Sequence, residues 1–134
     1  ADCVSSGAVL AKYRIPFIYD FDAWFRTLDA VEAMESPCFV PSHAPAGPDI
    51  RPLVAENRRA VTELLDTILA RLDSPASFEE LLMRLYDGFG LRLDFNQYVL
   101  AGGTLRSALS CLAGAGRVRA AFDGNRLLWR AAGD

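Results

Sequence analysis

Residues 117–130 read Arg117-Val118-Arg119-Ala120-Ala121-Phe122-Asp123-Gly124-Asn125-Arg126-Leu127-Leu128-Trp129-Arg130. Val118, Ala120 and Phe122 alternate along the first half, and Leu127 and Trp129 along the second. A period of two is that of a strand with one face on a core. Asp123-Gly124 between the halves is a strong hairpin signal. With those two residues as the loop, Phe122 pairs with Asn125, Ala120 with Leu127 and Val118 with Trp129. All three pairs share one face, which buries the aromatics. Arg117, Arg119, Arg126 and Arg130 take the other face.

Upstream of this hairpin the period changes to that of helices. Asp49 opens a stretch in which Ile50, Leu53, Val54, Asn57, Val61, Leu64, Leu65, Ile68, Leu69 and Leu72 recur every three or four residues, a long amphipathic helix. Pro52 is tolerated because it falls in the first turn. Asp73-Ser74-Pro75 ends the helix. Ser77, with Glu80 three residues on, is a capping box for the next one, whose inner face is Phe78, Leu81, Leu82, Leu85 and Tyr86. Gly88 and Gly90 stop it. Gln97-Tyr98-Val99-Leu100 predicts a short helix broken by Gly102-Gly103. Thr104 then caps a further helix with Leu105, Leu109 and Leu112 inward, ended by Gly114 and Gly116. Helices followed by a two-stranded hairpin give the order of a winged helix, a helix-turn-helix followed by a wing.

The first 48 residues are of another kind. Ile15-Pro16-Phe17-Ile18-Tyr19 is apolar, but Pro16 makes it a loop or edge segment. Asp20 or Asp22 caps a helix whose stripe is Phe21, Trp24, Phe25, Leu28 and Val31. Cys38-Phe39-Val40 predicts a short buried strand, closed by Pro41-Ser42-His43 and a rigid loop holding Pro45, Gly47 and Pro48. The expected fold is therefore α+β and mainly helical. Residues 1–48 form one unit, and residues 49–134 a winged-helix-like unit with a long leading helix.

The chain has 134 residues, with 14 basic against 17 acidic side chains and a net charge of −3. Apolar residues make up 51%, which argues against disorder. Mild acidity argues against a wholesale nucleic-acid binder. No apolar run is long enough to span a membrane, and no charged-then-apolar leader is present. Cys3, Cys38 and Cys111 sit at no metal spacing and read as reduced thiols of a cytoplasmic protein. The charge is uneven. Residues 100–134 carry five Arg against two Asp, while residues 1–99 carry a net −6. Arg106, Arg117, Arg119, Arg126 and Arg130 are thus candidate phosphate contacts. The helix beside them offers Ser107, Ala108, Ser110 and Ala113, with no Asn, Gln or Lys to read base edges, so nucleic acid is not the expected partner.

His43 is the single histidine, set at the start of a Pro/Gly loop, where functional groups are commonly placed. Val40-Pro41-Ser42-His43, followed by that loop and a long helix, resembles the last metal-ligand motif of metallo-β-lactamase-fold hydrolases, typically "PSHG". Ala44 stands here in place of the glycine. Ala1-Asp2-Cys3-Val4 resembles that family's "GD" strand end, and Ile15–Asp20 with the helix carrying Leu28 matches the stretch between the two motifs. Residues 49–130 look like the winged-helix domain that follows the catalytic domain in one branch of the superfamily. The resemblance implies that Asp2 is a bridging metal ligand and His43 a terminal one, with zinc or another divalent ion in the parent enzyme. It also implies an HxHxDH cluster and a further His, all in an N-terminal half. Two protein ligands do not fix a catalytic zinc, which needs about three.

The expectation is accordingly a C-terminal portion of a metal-dependent hydrolase, starting mid-pattern at Ala1. It would be a truncated piece of the αββα catalytic fold plus a winged helix, inactive and metal-free alone, with the missing N-terminal half as its partner. The winged helix would pack on the catalytic domain, shape the substrate mouth or support a dimer. Trp24 and Phe25 would form an apolar patch that a homodimer covers. Two alternatives are a free-standing winged-helix domain that binds nucleic acid or another protein, and a purely structural dimerisation module.

Overall fold

A computed structural model of the chain describes residues 3–133. Those residues form an α+β, mainly helical fold. Five helices run in the order α1 Gly7–Tyr13, α2 Phe21–Glu32, α3 Arg51–Ala70, α4 Phe78–Phe89 and α5 Phe95–Gly114. Strands β1 Val118–Asp123 and β2 Arg126–Ala131 close the chain as an antiparallel hairpin. No helix among the described residues is long and apolar enough to cross a membrane. Cys3, Cys38 and Cys111 are free.

Several elements follow directly from local sequence. Asp20 caps α2, its carboxylate accepting from the Ala23 N–H at 2.9 Å. Ser77 and Glu80 form the reciprocal capping box of α4. Gly90 ends α4 in the left-handed conformation, which an L side chain avoids. Asp49 accepts from the Arg51 N–H at 3.1 Å and so fixes the entry to α3.

α3 is the spine, and its buried residues are Val54, Asn57, Val61, Leu64, Leu65 and Ile68. The upper part of that stripe joins the larger core, with Leu81, Leu82 and Leu85 of α4, Leu105, Leu109 and Leu112 of α5, and Val118 of β1. Ile18 and Phe21 enter the same core from the N-terminal segment. The lower part, Ile50 and Val54, joins a smaller core with Val4 and Leu28.

Four sequence expectations are corrected. First, residues 7–13 form α1, which the apolar pattern had not marked. Second, Cys38-Phe39-Val40 is no buried strand. Only Phe39 pairs, in a single antiparallel bridge to Gly47, and Cys38 and Val40 are exposed. Among the described residues nothing else pairs with this segment to bury it.

Third, α5 runs unbroken through Gly102-Gly103, neither of which has positive φ. Thr104 is not a cap. It is fully buried in mid-helix, its hydroxyl donating to the Pro16 carbonyl at 2.9 Å and accepting from the Ile18 N–H at 3.2 Å. Gly102 and Gly103 leave room for the rings of Phe78 and Phe17 beside the helix. Tertiary packing overrides their low helix propensity.

Fourth, the hairpin register is shifted. Phe122 pairs with Leu127, Ala120 with Trp129 and Val118 with Ala131, so the loop is Gly124-Asn125. Gly124 has φ +59°, and a glycine in the first loop position suits a two-residue hairpin. The shift also sets Asp123 opposite Arg126. Being two residues, it leaves each side chain on its expected face. The hairpin tip nevertheless projects past the core, so Phe122 is 75% exposed rather than buried, while Trp129 is half-buried against the larger core.

A continuous α5 makes opposite predictions for adjacent positions. Gly103→Ala should raise the urea unfolding midpoint, by about 0.5–1 kcal/mol for a helix-interior glycine, because the new methyl meets only the exposed ring of Phe17. Thr104→Val should lower it by about 1–3 kcal/mol by stranding the Ile18 N–H and the Pro16 carbonyl. A destabilising Gly103→Ala would mean that the helix breaks there.

Candidate functional site

His43 lies at the middle of a loop whose neck is closed by the Phe39–Gly47 bridge. The Phe39 N–H donates to the Gly47 carbonyl at 2.7 Å, and the Gly47 N–H returns to Phe39 at 3.0 Å. The loop apex then meets the N-terminal segment. Ser5 and His43 form a parallel bridge, in which the Ser6 N–H donates to the His43 carbonyl at 2.9 Å. The His43 side chain is exposed.

Ser5 is held from its other side by Asn57 of α3. The Ser5 N–H donates to Asn57 Oδ1 at 2.9 Å, and Asn57 Nδ2 donates to the Ser5 carbonyl at 2.8 Å and to the Leu53 carbonyl at 2.8 Å. The side-chain amide thus pairs with Ser5 as a neighbouring strand would, while buried to 2% exposure. Asn57 is the site residue that sequence reasoning missed, since it was counted only as one more position of the α3 stripe. The available signal was an amide at a core position of an otherwise apolar period, because a buried amide must be hydrogen-bonded.

Of the two expected metal ligands, His43 is placed by this bridge, and Asp2 lies outside the described residues. Among the described residues no three His, Cys, Asp or Glu side chains converge as metal donors. His43 by itself does not make a metal site. A shallow groove of about 270 Å³ runs behind the loop, lined by Phe39, Pro45, Asp49, Ile50, Leu53 and Glu56 among others. His43 does not line it.

Of the five candidate phosphate-binding arginines, Arg119, Arg126 and Arg130 share one face of the hairpin, and Arg106, Arg117 and Arg126 are engaged by other groups. Arg106 stacks on the Phe78 ring, 3.9 Å from its centroid. Arg117 pairs with Asp66 at 3.2 Å, and Arg126 pairs with Glu80. Arg119 and Arg130 stand directly opposite each other across the hairpin, and among the described residues neither has a carboxylate partner. Glu80 therefore serves two elements, capping α4 and tying it to β2. The Ser77 backbone N–H, then the Ser77 hydroxyl, then Arg126 hold its carboxyl down at about 2.

Two other groups are shifted. Burial, then the hydrogen bond that the thiol donates to Asp22 at 3.4 Å, pushes Cys111 up to about 11. Such a thiol stays protonated at neutral pH and is a poor nucleophile. Burial, then the charge of Asp94, raises Tyr86, whose hydroxyl donates to Gln97 at 3.2 Å.

Comparison with known proteins bears on the fold. No family model matches the chain, and no curated protein matches it. Among solved structures, the chain is similar to a beta-lactamase domain protein from Burkholderia ambifaria, with a TM-score of 0.69 at 21% identity. The match covers 87% of this chain and 37% of the other. The likeness is one of fold, and the chain spans little more than a third of that protein's length.

Two predictions follow from the anchoring bonds. Asn57→Ala should cost about 1–3 kcal/mol, the range for stranding a buried backbone partner, and should speed hydrogen exchange at Ser5 and Ser6. Unchanged protection there would remove Asn57 from its anchoring role. The depressed Glu80 carboxyl stabilises the fold above its ordinary value of 4.5, and that contribution fades as pH falls towards 2. Glu80→Gln should therefore flatten the acid limb of the stability curve between those values, and a Glu80 carboxyl titrating near 4.5 by NMR would contradict the assignment.

Proposed function

We propose that the chain is the C-terminal portion of a metallo-β-lactamase-fold, metal-dependent hydrolase, and that residues 49–134 are its winged-helix domain. The carrying observation is the Ser5–His43 bridge anchored by Asn57. It sets Ser5 and Ser6 beside the Pro41-Ser42-His43 loop, which supports a reading in which the two segments share a metal centre. The fold likeness to a beta-lactamase domain protein supports the same reading. Asp2 and His43 are then a bridging and a terminal ligand of a zinc or other divalent centre whose remaining imidazoles lie in an N-terminal half. When bound, the metal would supply a hydroxide nucleophile. The contribution of this chain is to hold His43 on a loop pinned at its neck and at its apex.

The winged-helix reading is supported by a third, one-residue strand. Ala76, between α3 and α4, exchanges two backbone hydrogen bonds with Trp129 of β2, at 2.9 and 2.8 Å. The order helix, short strand, helix, helix, hairpin is that of a winged helix. In the proposed parent this domain packs on the catalytic domain, shapes the substrate mouth or supports a dimer, in the cytoplasm. The second reading, a free-standing winged-helix domain that binds nucleic acid or another protein, rests on Arg119 and Arg130, like charges facing each other without a carboxylate between them.

Calorimetric titration with zinc tests the proposal, with His43→Ala in parallel. The isolated chain should bind no stoichiometric zinc and hydrolyse neither ester nor phosphodiester. A longer polypeptide carrying an HxHxDH cluster should bind metal and lose much of it on His43→Ala. Tight binding by the isolated chain that disappears in His43→Ala would show that it completes a site by itself. A parent without the histidine cluster would remove the hydrolase reading.

A further inference from the structure

The two edges of the hairpin differ. Ala76 takes both the N–H and the carbonyl of Trp129, at 2.8 and 2.9 Å, and so covers the outer edge of β2. Ala120 is the register partner of Trp129. Bonded and non-bonded pairs alternate along an antiparallel ladder. With the groups of Trp129 turned towards Ala76, those of Ala120 turn the other way, outward from β1. The backbone groups of Phe122, two residues on, point the same way. Among the described residues no other group bonds to them. Both residues are exposed, Phe122 at 75%. An unpaired edge of this kind is a template for a further strand, and proteins usually blunt it with charge. Trp24 and Phe25, the patch expected to meet a second copy, instead pack on the larger core.

We propose that this edge pairs with the same edge of a second copy, β1 against β1, antiparallel about a two-fold axis at Ala121. The charges select both the occupant and the register. Arg119 and Asp123 flank Ala121 symmetrically in the strand. A period of two puts all three side chains on one face. Both charged residues are exposed, and among the described residues neither has an ion-pair partner. Arg119 instead faces Arg130, a like charge directly opposite, which is unfavourable. Centred on Ala121, the antiparallel register sets each Arg119 opposite the partner's Asp123, at both ends at once. It also sets Ala120 opposite the partner's Phe122, and these are the residues whose backbone groups point across the edge. Arg119 and Asp123 then fall in non-hydrogen-bonded pairs, where side chains come closest. Registers centred on Arg119 or on Asp123 would set like charges face to face. A two-fold axis is the commonest symmetry of homo-oligomers and makes such an edge self-complementary. The assembly uses β1 and no metal, so it stands or falls separately from the hydrolase reading.

Sedimentation of the 134-residue chain over a concentration series tests the dimer. The wild-type chain should approach twice its monomer mass. Arg119→Asp sets like charges opposite each other at both ends and should weaken association about tenfold. Adding Asp123→Arg exchanges the two charges and should restore it. Ala120→Pro removes an N–H that its own hairpin does not use, and should leave a monomer with unchanged far-UV circular dichroism. Ala121→Cys, made with Cys38→Ser, should form an intermolecular disulfide on mild oxidation, because the axis brings the two positions together. A wild-type chain that stays monomeric at every concentration leaves the edge to an extended segment of another protein and overturns the proposal. A dimer that survives Ala120→Pro, or one that the charge exchange does not restore, overturns it equally.

Discussion

The buried amide of Asn57 joins the two halves of this molecule. It sits on α3 between Val54, which belongs to the smaller core, and Val61, which belongs to the larger. An apolar side chain there would continue the stripe but leave the Ser5 backbone without partners. The amide satisfies both the N–H and the carbonyl of Ser5. Ser5 in turn is the bridge partner of His43. The apex contact of the lone histidine's loop therefore depends on one side chain of a helix that begins eight residues later in the chain.

A comparable device operates at the other end of the core. Thr104 is the polar residue inside α5 that reaches back to the Pro16–Ile18 segment. It draws Ile18 and, one turn on, Phe21 into the core that α3, α4 and α5 build. Asn57 and Thr104 are the two buried polar residues of the described chain, and each satisfies backbone groups of the irregular N-terminal segment. Outside α1 and α2 that segment pairs only through isolated bridges among its described residues, so its remaining backbone groups need side-chain partners where a sheet would otherwise supply them.

The legible parts of the fold were those governed by neighbours in sequence. The caps at Asp20 and Ser77, the left-handed stop at Gly90 and the long stripe of α3 depend on residues within a turn or two. So did the existence of the hairpin. Its register was not legible, because Asp123-Gly124 and Gly124-Asn125 both make two-residue loops. The choice between them depends on cross-strand pairs such as Asp123 with Arg126. The continuity of α5 was not legible either. Two adjacent glycines signal a break unless the rings of Phe78 and Phe17 are known to fill the space beside them.

The candidate site divides along the same line. Sequence by itself determined that His43 sits in a Pro/Gly loop ahead of a long helix, and that the net positive charge lies in the C-terminal segment. Those are properties of order and composition. Only the tertiary structure decided that the apex of that loop meets Ser5, that Asn57 holds Ser5, and that Arg106, Arg117 and Arg126 are engaged by Phe78, Asp66 and Glu80. Each of those contacts joins residues far apart in the chain. Their formation depends on how α3, α4 and α5 pack, and hydrophobic burial fixes that packing without regard to which polar groups it brings together.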